Sequence, residues 1–520
     1  MRGAALVAGL LLAAAASSVA ADKDWNAWYW SDFDADAAEP TTFDVTDDFT
    51  VAHNLWFHVQ RFFAVLPPEQ LGRYSPERNP DVPFSQNIAA GKLPFADPSL
   101  HFHNIQAGVL RGTCLWIDFP FPAFPENMGH WAEVLLPVYS ALVEGAWAQR
   151  PPQASGNDWN ATAAGGGADG GASEGGASGA GGSSGSEGSG ASSSEGSSGG
   201  GGGGLSEADA VLSAVIFPNL RREQVKGLTW VMDMLKLTLK PGLRGRAMPR
   251  VLFFDELEAL NATAWLGFQR VLMVRTRYSH PEGRSGFAKP EHADAFRQTA
   301  YAAANVTLGG PAWEERVPPP TITYLMAMNH EPVVNNGEVL EALREVGDAL
   351  GLAVRPYSVT PGAAFPSFVA SMAKTGVLVA RHGPLLANAM FLPPGAVVLE
   401  LLPYNWEWHG ISEIYLNLTR SVGGLHHFAW KANSSEWVMY LESEDAKYSH
   451  WTSDECSSRY CLEAHARAGM IVDTDTVKRA LLDVLPRVLK GESVPALAKR
   501  VPWPRGSASS EGTGLFWDID

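Results

Sequence analysis

The residues best spaced for chemistry lie between Gly376 and Asn405. An apolar run, Gly376-Val377-Leu378-Val379-Ala380, leads into Arg381-His382-Gly383-Pro384 and on to Asn388. A turn follows at Leu392-Pro393-Pro394-Gly395, and a second apolar run, Ala396-Val397-Val398-Leu399, ends on Glu400. This reads as strand, tight turn, short helix, turn and strand. Helix N-termini point unpaired N–H groups at anions, and open α/β sheets take ligands at the carboxyl ends of their strands. The order therefore points to a nucleotide-diphosphate site. In that reading Arg381 supplies charge, and His382 and Gly383 contact phosphate or sugar. Asn388 fixes the turn, and Glu400 accepts the hydroxyls of a ribose. A plain βα turn, a solvated arginine and a structural ion pair at Glu400 are the competing readings, and a buried carboxylate needs a partner in either case.

A second group is Glu126-Asn127-Met128-Gly129-His130-Trp131 with Glu133. An imidazole has the right unperturbed pKa for a general base, so His130 is a candidate, with Glu126 and Glu133 as rivals. Arg275, Arg277 and Arg284 stand with Tyr278 and His280 in a loop after a predicted strand. They either neutralise phosphate or decorate an exposed loop. Asp473-Thr474-Asp475 looks like a metal motif but stands at a predicted helix start, where acids are ordinary. Its helix should be capped by Asp475 or Thr476. His101 with His103, and His426 with His427, lack a third ligand at ordinary spacing, and no metal site is expected.

Regular elements must hold these groups. Arg111 to Phe119 reads as a strand, and Asn127 to Gly145 as a helix with Trp131, Val134, Leu135 and Val138 at helical spacing. Pro137 should kink that helix or mark an early turn. Val251 to Phe254 and Arg270 to Val274 read as buried strands. After Pro318-Pro319-Pro320, strands and helices alternate: strand Thr321–Met328, helix Gly337–Leu350, strand Leu352–Val359, helix Phe365–Lys374, then the segment above. Such alternation gives a parallel sheet with right-handed crossovers. A helix from Val477 to Leu489 closes it.

The chain has 520 residues, which sets two domains as the prior, and its net charge of −17 argues against nucleic acid or an anionic membrane as partner. Met1-Arg2, an apolar run from Ala4 and small residues up to Ala21 read as a signal peptide, with an uncleaved anchor as the alternative. Sequons at Asn160, Asn261, Asn305, Asn417 and Asn433 fit the secretory route. Of the three cysteines, Cys456 and Cys461 suit a small disulfide loop and Cys114 a buried thiol. Residues 163–204, almost wholly Gly, Ser and Ala, cannot bury enough apolar surface to order and read as an insertion within the first domain. The expected division is 1–21 signal or anchor, 22–316 N-terminal domain, 317–495 C-terminal domain and 496–520 tail.

Two segments together resemble glycosyltransferase family 61. The first is Asn127-Met128-Gly129-His130-Trp131 leading to Leu136-Pro137. The second is Arg381-His382-Gly383 through Asn388, Phe391-Leu392-Pro393-Pro394 and Glu400-Leu401-Leu402-Pro403. The resemblance implies a GT-B fold, an α/β architecture of two Rossmann-like domains facing across a cleft. It places Asn127, His130 and Trp131 on the acceptor side. It also implies an inverting transfer of xylose, another pentose or N-acetylglucosamine from a UDP-sugar to a glycan or glycoprotein, in the Golgi or ER lumen or after secretion. UDP-sugar is substrate there, with no cofactor and no divalent metal required. The chain departs from the family at Pro384-Leu385-Leu386-Ala387, where Ala-Gly-Leu-Thr is usual, and at Ala327 to Pro332, where arginines are usual. A catalytically inactive relative that binds glycans or scaffolds other proteins is therefore the alternative. On the enzyme reading, His382→Ala should abolish nucleotide-dependent transfer and leave the melting temperature nearly unchanged.

Overall fold

The protein is described by a computed structural model covering 28–32, 41–58, 61–65, 95–96, 106–145, 147, 211–261, 265–279, 282–307, 319–326, 333–358, 364–406, 408–452, 455–456, 458–491 and 515–517. The candidate signal segment, the Gly/Ser-rich stretch, the sequon at Asn160, the pair His101 and His103, and His280 lie outside these residues.

The first sheet takes its strands from the first half of the chain: β1 Trp28–Asp32, β2 Thr42–Val45, β3 Phe49–His58, β4 Arg61–Val65, β5 Phe95–Ala96, β6 Gln106–Trp116, β7 Leu212–Phe217, β8 Arg250–Phe253 and β9 Trp265–Val274. Its order is β5-β4-β3-β9-β6-β7-β8, with β1 against the start of β6 and β2 against the start of β3. Strands β9, β6, β7 and β8 run parallel, and β3 joins β9 antiparallel. The crossovers are α1 Met128–Glu144, α2 Arg222–Val225 with α3 Thr229–Leu243, and α4 Phe254–Asn261; α5 Pro290–Ala303 follows β9.

Helix α1 forms as its spacing predicts. The Asn127 side chain caps it by accepting from His130 N, and Gly145 ends it in the left-handed conformation with its N–H on Ala141 O. The helix carries through Pro137 to Glu144 rather than stopping early. Proline there leaves the Glu133 carbonyl without its helical donor. Burial of nearly every side chain of the helix from Trp131 to Leu142 outweighs that loss.

The second sheet collects β10 Thr321–Met326, β11 Ala353–Ser358, β12 Val377–Arg381, β13 Val397–Leu402 and β14 His426–Lys431. Its order is β11-β10-β12-β13-β14, all parallel, and Leu515–Trp517 adds antiparallel at the β14 edge. That last strand lies in the stretch expected to be a tail. Between these strands run α6 Asn336–Leu350, α7 Phe365–Met372, a 3-10 helix Pro384–Phe391 and α8 Ile414–Val422. Beyond β14 come a small ribbon, Val438–Met439 with Gly469–Met470, and helices α9 Arg459–Arg467 and α10 Thr474–Val488. Helix α10 is capped by Asp473, which accepts from Thr476 N, rather than by Asp475 or Thr476. A short acceptor at that position satisfies a free N–H of the first turn, which accounts for the Asp-x-Asp triplet without a metal.

In spatial order β10 is flanked by β11 on one side and β12 on the other. This is the doubly wound pattern, whose ligand crevice lies beyond the carboxyl ends of the two strands where the winding reverses, here β10 and β12. The first sheet reverses likewise between β6 and β9. The architecture is thus mixed α/β with parallel sheets.

One apolar core spans the space between the sheets. It takes in α1, α3 and α5 from the first half and α7, the 3-10 helix and α8 from the second. The far face of the second sheet packs on α6 and α10, and the far face of the first on α4. Polar bolts cross the middle layer. Arg297 of α5, fully buried, donates from Nη1 to Leu392 O at 2.7 Å and pairs with Asp294, while Tyr301 donates from Oη to Phe391 O at 2.6 Å.

Cys456 and Cys461 form a disulfide, and Cys114 is a buried free thiol whose pKa burial pushes up. His465, one helical turn beyond Cys461, lies in the same buried knot, and desolvation lowers its pKa to about 4. Its folded pKa is below the unfolded value of roughly 6.5, so the unfolded chain takes up the proton first. Stability is then fully present above pH 6.5 and falls as the pH drops towards 4, by on the order of 3 kcal/mol. His465→Phe should flatten the melting temperature across that window; an unchanged acid slope would show that other groups set it.

Candidate functional site

Alternation along three neighbouring strands builds the centre of the site. Glu400 lies opposite Ala380 on β12, and His427 lies opposite Val398 on β13. With a period of two, His382, Glu400 and His427 share one face, the one turned towards the first sheet. Glu400 is completely buried. One carboxylate oxygen meets His382 Nδ1 in a very short contact, and the other lies 3.0 Å from His427 Nε2. Thr419 of α8 completes the line, its Oγ1 2.8 Å from His427 Nδ1 and donating to Leu416 O. Burial alone would raise the Glu400 pKa, but the charge and hydrogen bonds of His382 and His427 more than offset it and hold the carboxyl below the usual range.

The relay fixes His382 through Nδ1. Its ring packs edge-on against Trp406 and Tyr415, with centroids 5.8 and 5.0 Å away. Nε2 has no hydrogen-bond partner among the described residues and is the free end of the relay. A carboxylate held on Nδ1 sets the tautomer and orientation of an imidazole. The arrangement can accept a proton at Nε2 or, once protonated, donate to an anion.

The other expected contacts are placed differently. Glu400 is completely buried with its two oxygens turned to imidazoles, rather than standing open to a ribose. The Arg381 side chain is buried and donates to Ala466 O at 3.2 Å, so it is held by α9 rather than by the turn. Asn388 is buried and ties back to Leu385 O at 2.8 Å, an internal brace of the 3-10 helix. Gly383 has φ 161°, an extended backbone that other residues also adopt, and it is buried with His382; only Pro384 and Leu385 of the turn stay half-exposed. Pro384 brings no N–H, so the turn is a closed floor rather than an open amide cradle. Lys431, at the end of β14, stands on the same strand face as His427, and burial lowers its ammonium to about 8.

The first sheet contributes a second cluster at the start of α1. Glu133 is buried and engaged on all sides. Tyr278 donates to it at 2.5 Å, Arg277 pairs with it at 2.8 Å, and His130 Nδ1 stands 3.5 Å away. Burial first, and the Glu133 charge next, push the Tyr278 hydroxyl pKa far up, so it stays a donor. The His130 ring stacks on Phe121 at 3.9 Å. Glu126 is exposed, and Asn127 spends its side-chain oxygen on the cap. Trp131 is fully buried, donates to Pro125 O and stacks on Phe119, so it is core and no acceptor platform. Arg275 is buried at the base of the loop and Arg284 pairs with Asp48.

Tyr415 joins the two clusters. A Cβ on Gly129 would lie 2.7 Å from Tyr415 Oη, so the bare glycine lets α8 approach the first turn of α1. The same ring touches His382. Tyr415 thus lies against His382 on one side and against the first turn of α1, at Gly129, on the other, whereas Arg381 and Trp131 are not part of the arrangement.

The sequence marked His427 only in a pair with His426 that lacks a third ligand, and Thr419 only as the end of the Asn417 sequon. Counting alternation from Glu400 across to β14 would have found His427. Thr419 also completes the sequon at Asn417, and its hydroxyl is buried in the relay. The sequon asparagines Asn305 and Asn433 are exposed.

Parallel α/β sheets with histidine–carboxylate clusters at strand and helix ends define the class of site. No protein-family model matches the chain. A 73-residue stretch, 14% of the chain, is 37% identical to protein O-linked-mannose beta-1,4-N-acetylglucosaminyltransferase 2 of Takifugu rubripes and covers 12% of that protein. The match spans about an eighth of the relative and supports a partial likeness to a glycosyltransferase.

Proposed function

We propose that this protein is a glycosyltransferase that moves a sugar from a UDP-sugar to a glycan or glycoprotein in the secretory pathway, with the two sheets as the two halves of a GT-B form. The observation that carries the reading is the His382–Glu400–His427 relay beside the winding reversal of the second sheet. An inverting transfer needs a base on the acceptor hydroxyl and a charge partner for the departing diphosphate. Here a protonated His382, donating from Nε2, meets the diphosphate, with Lys431 as the further cation on that face. The partial likeness to an N-acetylglucosaminyltransferase favours UDP-N-acetylglucosamine over UDP-xylose. No divalent metal is needed in this scheme, because imidazolium and ammonium take the developing charge. Calorimetry with UDP, followed by a screen of UDP-sugars for UDP release with pooled N-glycans and O-mannosyl peptides, tests it. Micromolar binding and acceptor-dependent release are expected.

The second reading is a catalytically silent relative that binds glycans. The closed turn at Gly383 and Pro384 and the diversion of Arg381 to Ala466 favour it. A folded protein that binds glycans in the same screen but neither binds UDP nor releases it would establish that reading instead.

A further inference from the structure

We infer that Asp118 is the catalytic base that takes the proton of the acceptor hydroxyl, in a narrow pocket on the first sheet that receives a hydroxyl-bearing edge of the acceptor sugar. The inference rests on the glycosyltransferase reading above and names a residue and a site that reading leaves open.

Asp118 follows β6 by two residues, at the carboxyl end of a strand where the first sheet reverses its winding between β6 and β9. A ligand crevice belongs there on topological grounds. A pocket is present at that place, and Asp118 lines it together with Phe62, Trp116, Val138, Met273, Thr276 and Ser279. The walls are apolar except for the carboxyl and the hydroxyls of Thr276 and Ser279, the composition expected of a site for a small polar group held in an apolar frame. Asn219 at the end of β7 holds the carboxyl in place, donating from Nδ2 to Asp118 Oδ1 at 2.5 Å and to Phe119 O at 2.6 Å. Asp118 Oδ2 has no hydrogen-bond partner among the described residues.

Three chain segments tie this pocket to the site already described. Thr276 and Ser279 flank Arg277 and Tyr278, the partners of Glu133. Val138 lies on α1 beyond His130. Phe121, three residues after Asp118, stacks on the His130 ring. Glu133 itself is buried and held by Tyr278 and Arg277, away from this pocket's lining.

Burial raises the Asp118 pKa to about 7, with no charged neighbour contributing. The pocket lining contains no other ionisable group. The titratable and charged groups on the packed elements are Glu133 and His130 on α1 and Arg275 and Arg277 on the loop after β9, with Glu133 paired to Arg277. A base in that range is well matched to neutral operation. In the step, the acceptor O–H proton passes to Asp118 Oδ2. The oxygen lone pair forms the bond to the anomeric carbon, and the carbon–oxygen bond to the diphosphate breaks, leaving its electron pair on UDP.

The test compares wild type, Asp118→Asn and His130→Gln over pH 5.5–9, using UDP-N-acetylglucosamine and UDP-xylose with pooled N-glycans and O-mannosyl peptides. Asparagine keeps the contact from Asn219, so a structural role would leave the rate intact. The expected result is a loss of at least about 100-fold in kcat for Asp118→Asn, with the wild-type rise through pH 7 abolished and UDP affinity within about twofold of wild type. His130→Gln should keep the rise. The proposal is overturned if Asp118→Asn turns over within threefold of wild type, or if only His130→Gln loses the pH rise. Wild type that binds UDP but never transfers also overturns it. Wild type that fails to bind UDP refutes the glycosyltransferase reading and this base with it, an outcome separated from the others by the binding measurement alone.

Discussion

His382→Ala should lose nucleotide-dependent transfer by at least about 100-fold and also lower stability by about 3–5 kcal/mol. The first effect follows from removing the Nε2 donor. The second follows from what the ring leaves behind. Glu400 is completely buried, and its charge is tolerated because His382 and His427 face it. Removing one partner strands a charge in a low-dielectric interior, where the desolvation cost is no longer matched. The sequence reading expected an unchanged melting temperature; the burial of the relay instead ties the loss of activity to a loss of stability. The double variant His382→Ala/Glu400→Gln separates the effects: it should regain much of the stability, because no charge remains to be stranded, and none of the transfer. Denaturant unfolding and a UDP-release assay on both variants decide the matter. A single variant as stable as wild type would mean that the carboxylate is not dependent on the imidazole.

The second large effect concerns the joint between the sheets. Arg297→Ala should cost about 3–5 kcal/mol and split a single thermal transition into two. The guanidinium is fully buried, holds Leu392 O, and pairs with the half-exposed Asp294. Its loss leaves a carbonyl of the second half without its donor and opens a void beside Phe296 and Phe391, whose rings stack 6.0 Å apart across the joint. Asp294→Ala, on a partly exposed partner, should cost far less. Differential scanning calorimetry reads both. One sharp transition at nearly the wild-type temperature for Arg297→Ala would show that the apolar core alone couples the halves.

Much of the fold was legible because its signals are local. The alternation of apolar strands with amphipathic helices after Pro320 predicts parallel pairing, and β10 to β14 form it. The helix from Asn127 to Gly145 announces itself by a cap, an apolar stripe and a terminal glycine, and α1 keeps those bounds. The strand Leu515–Trp517 was not legible, since three residues carry no periodicity and their place is set by the open edge of β14.

The candidate site divides the same way. His382 and His130 stand out by sequence, as a histidine at a strand-to-helix turn and a histidine just inside a helix start. Which groups they answer to is another matter. Glu400 finds His382 eighteen residues away and His427 on the next strand, and Glu133 finds Tyr278 across the chain. Arg381 neighbours His382 in sequence, yet strand alternation turns it to the opposite face and onto Ala466. Asp118 carries no motif at all; only the reversal of strand order and the walls around it distinguish it from any acid at a strand end.

By itself, the sequence determined helix α1, the alternating elements from Thr321 to Glu400 with their parallel pairing, and the two histidines, because propensity, capping and periodicity act within a few residues. Tertiary structure decided which carboxylate is buried, which cation is diverted and how closely the two sheets' helices merge. Those depend on desolvation and on contacts between residues far apart in the chain, and neither quantity exists until the chain has folded.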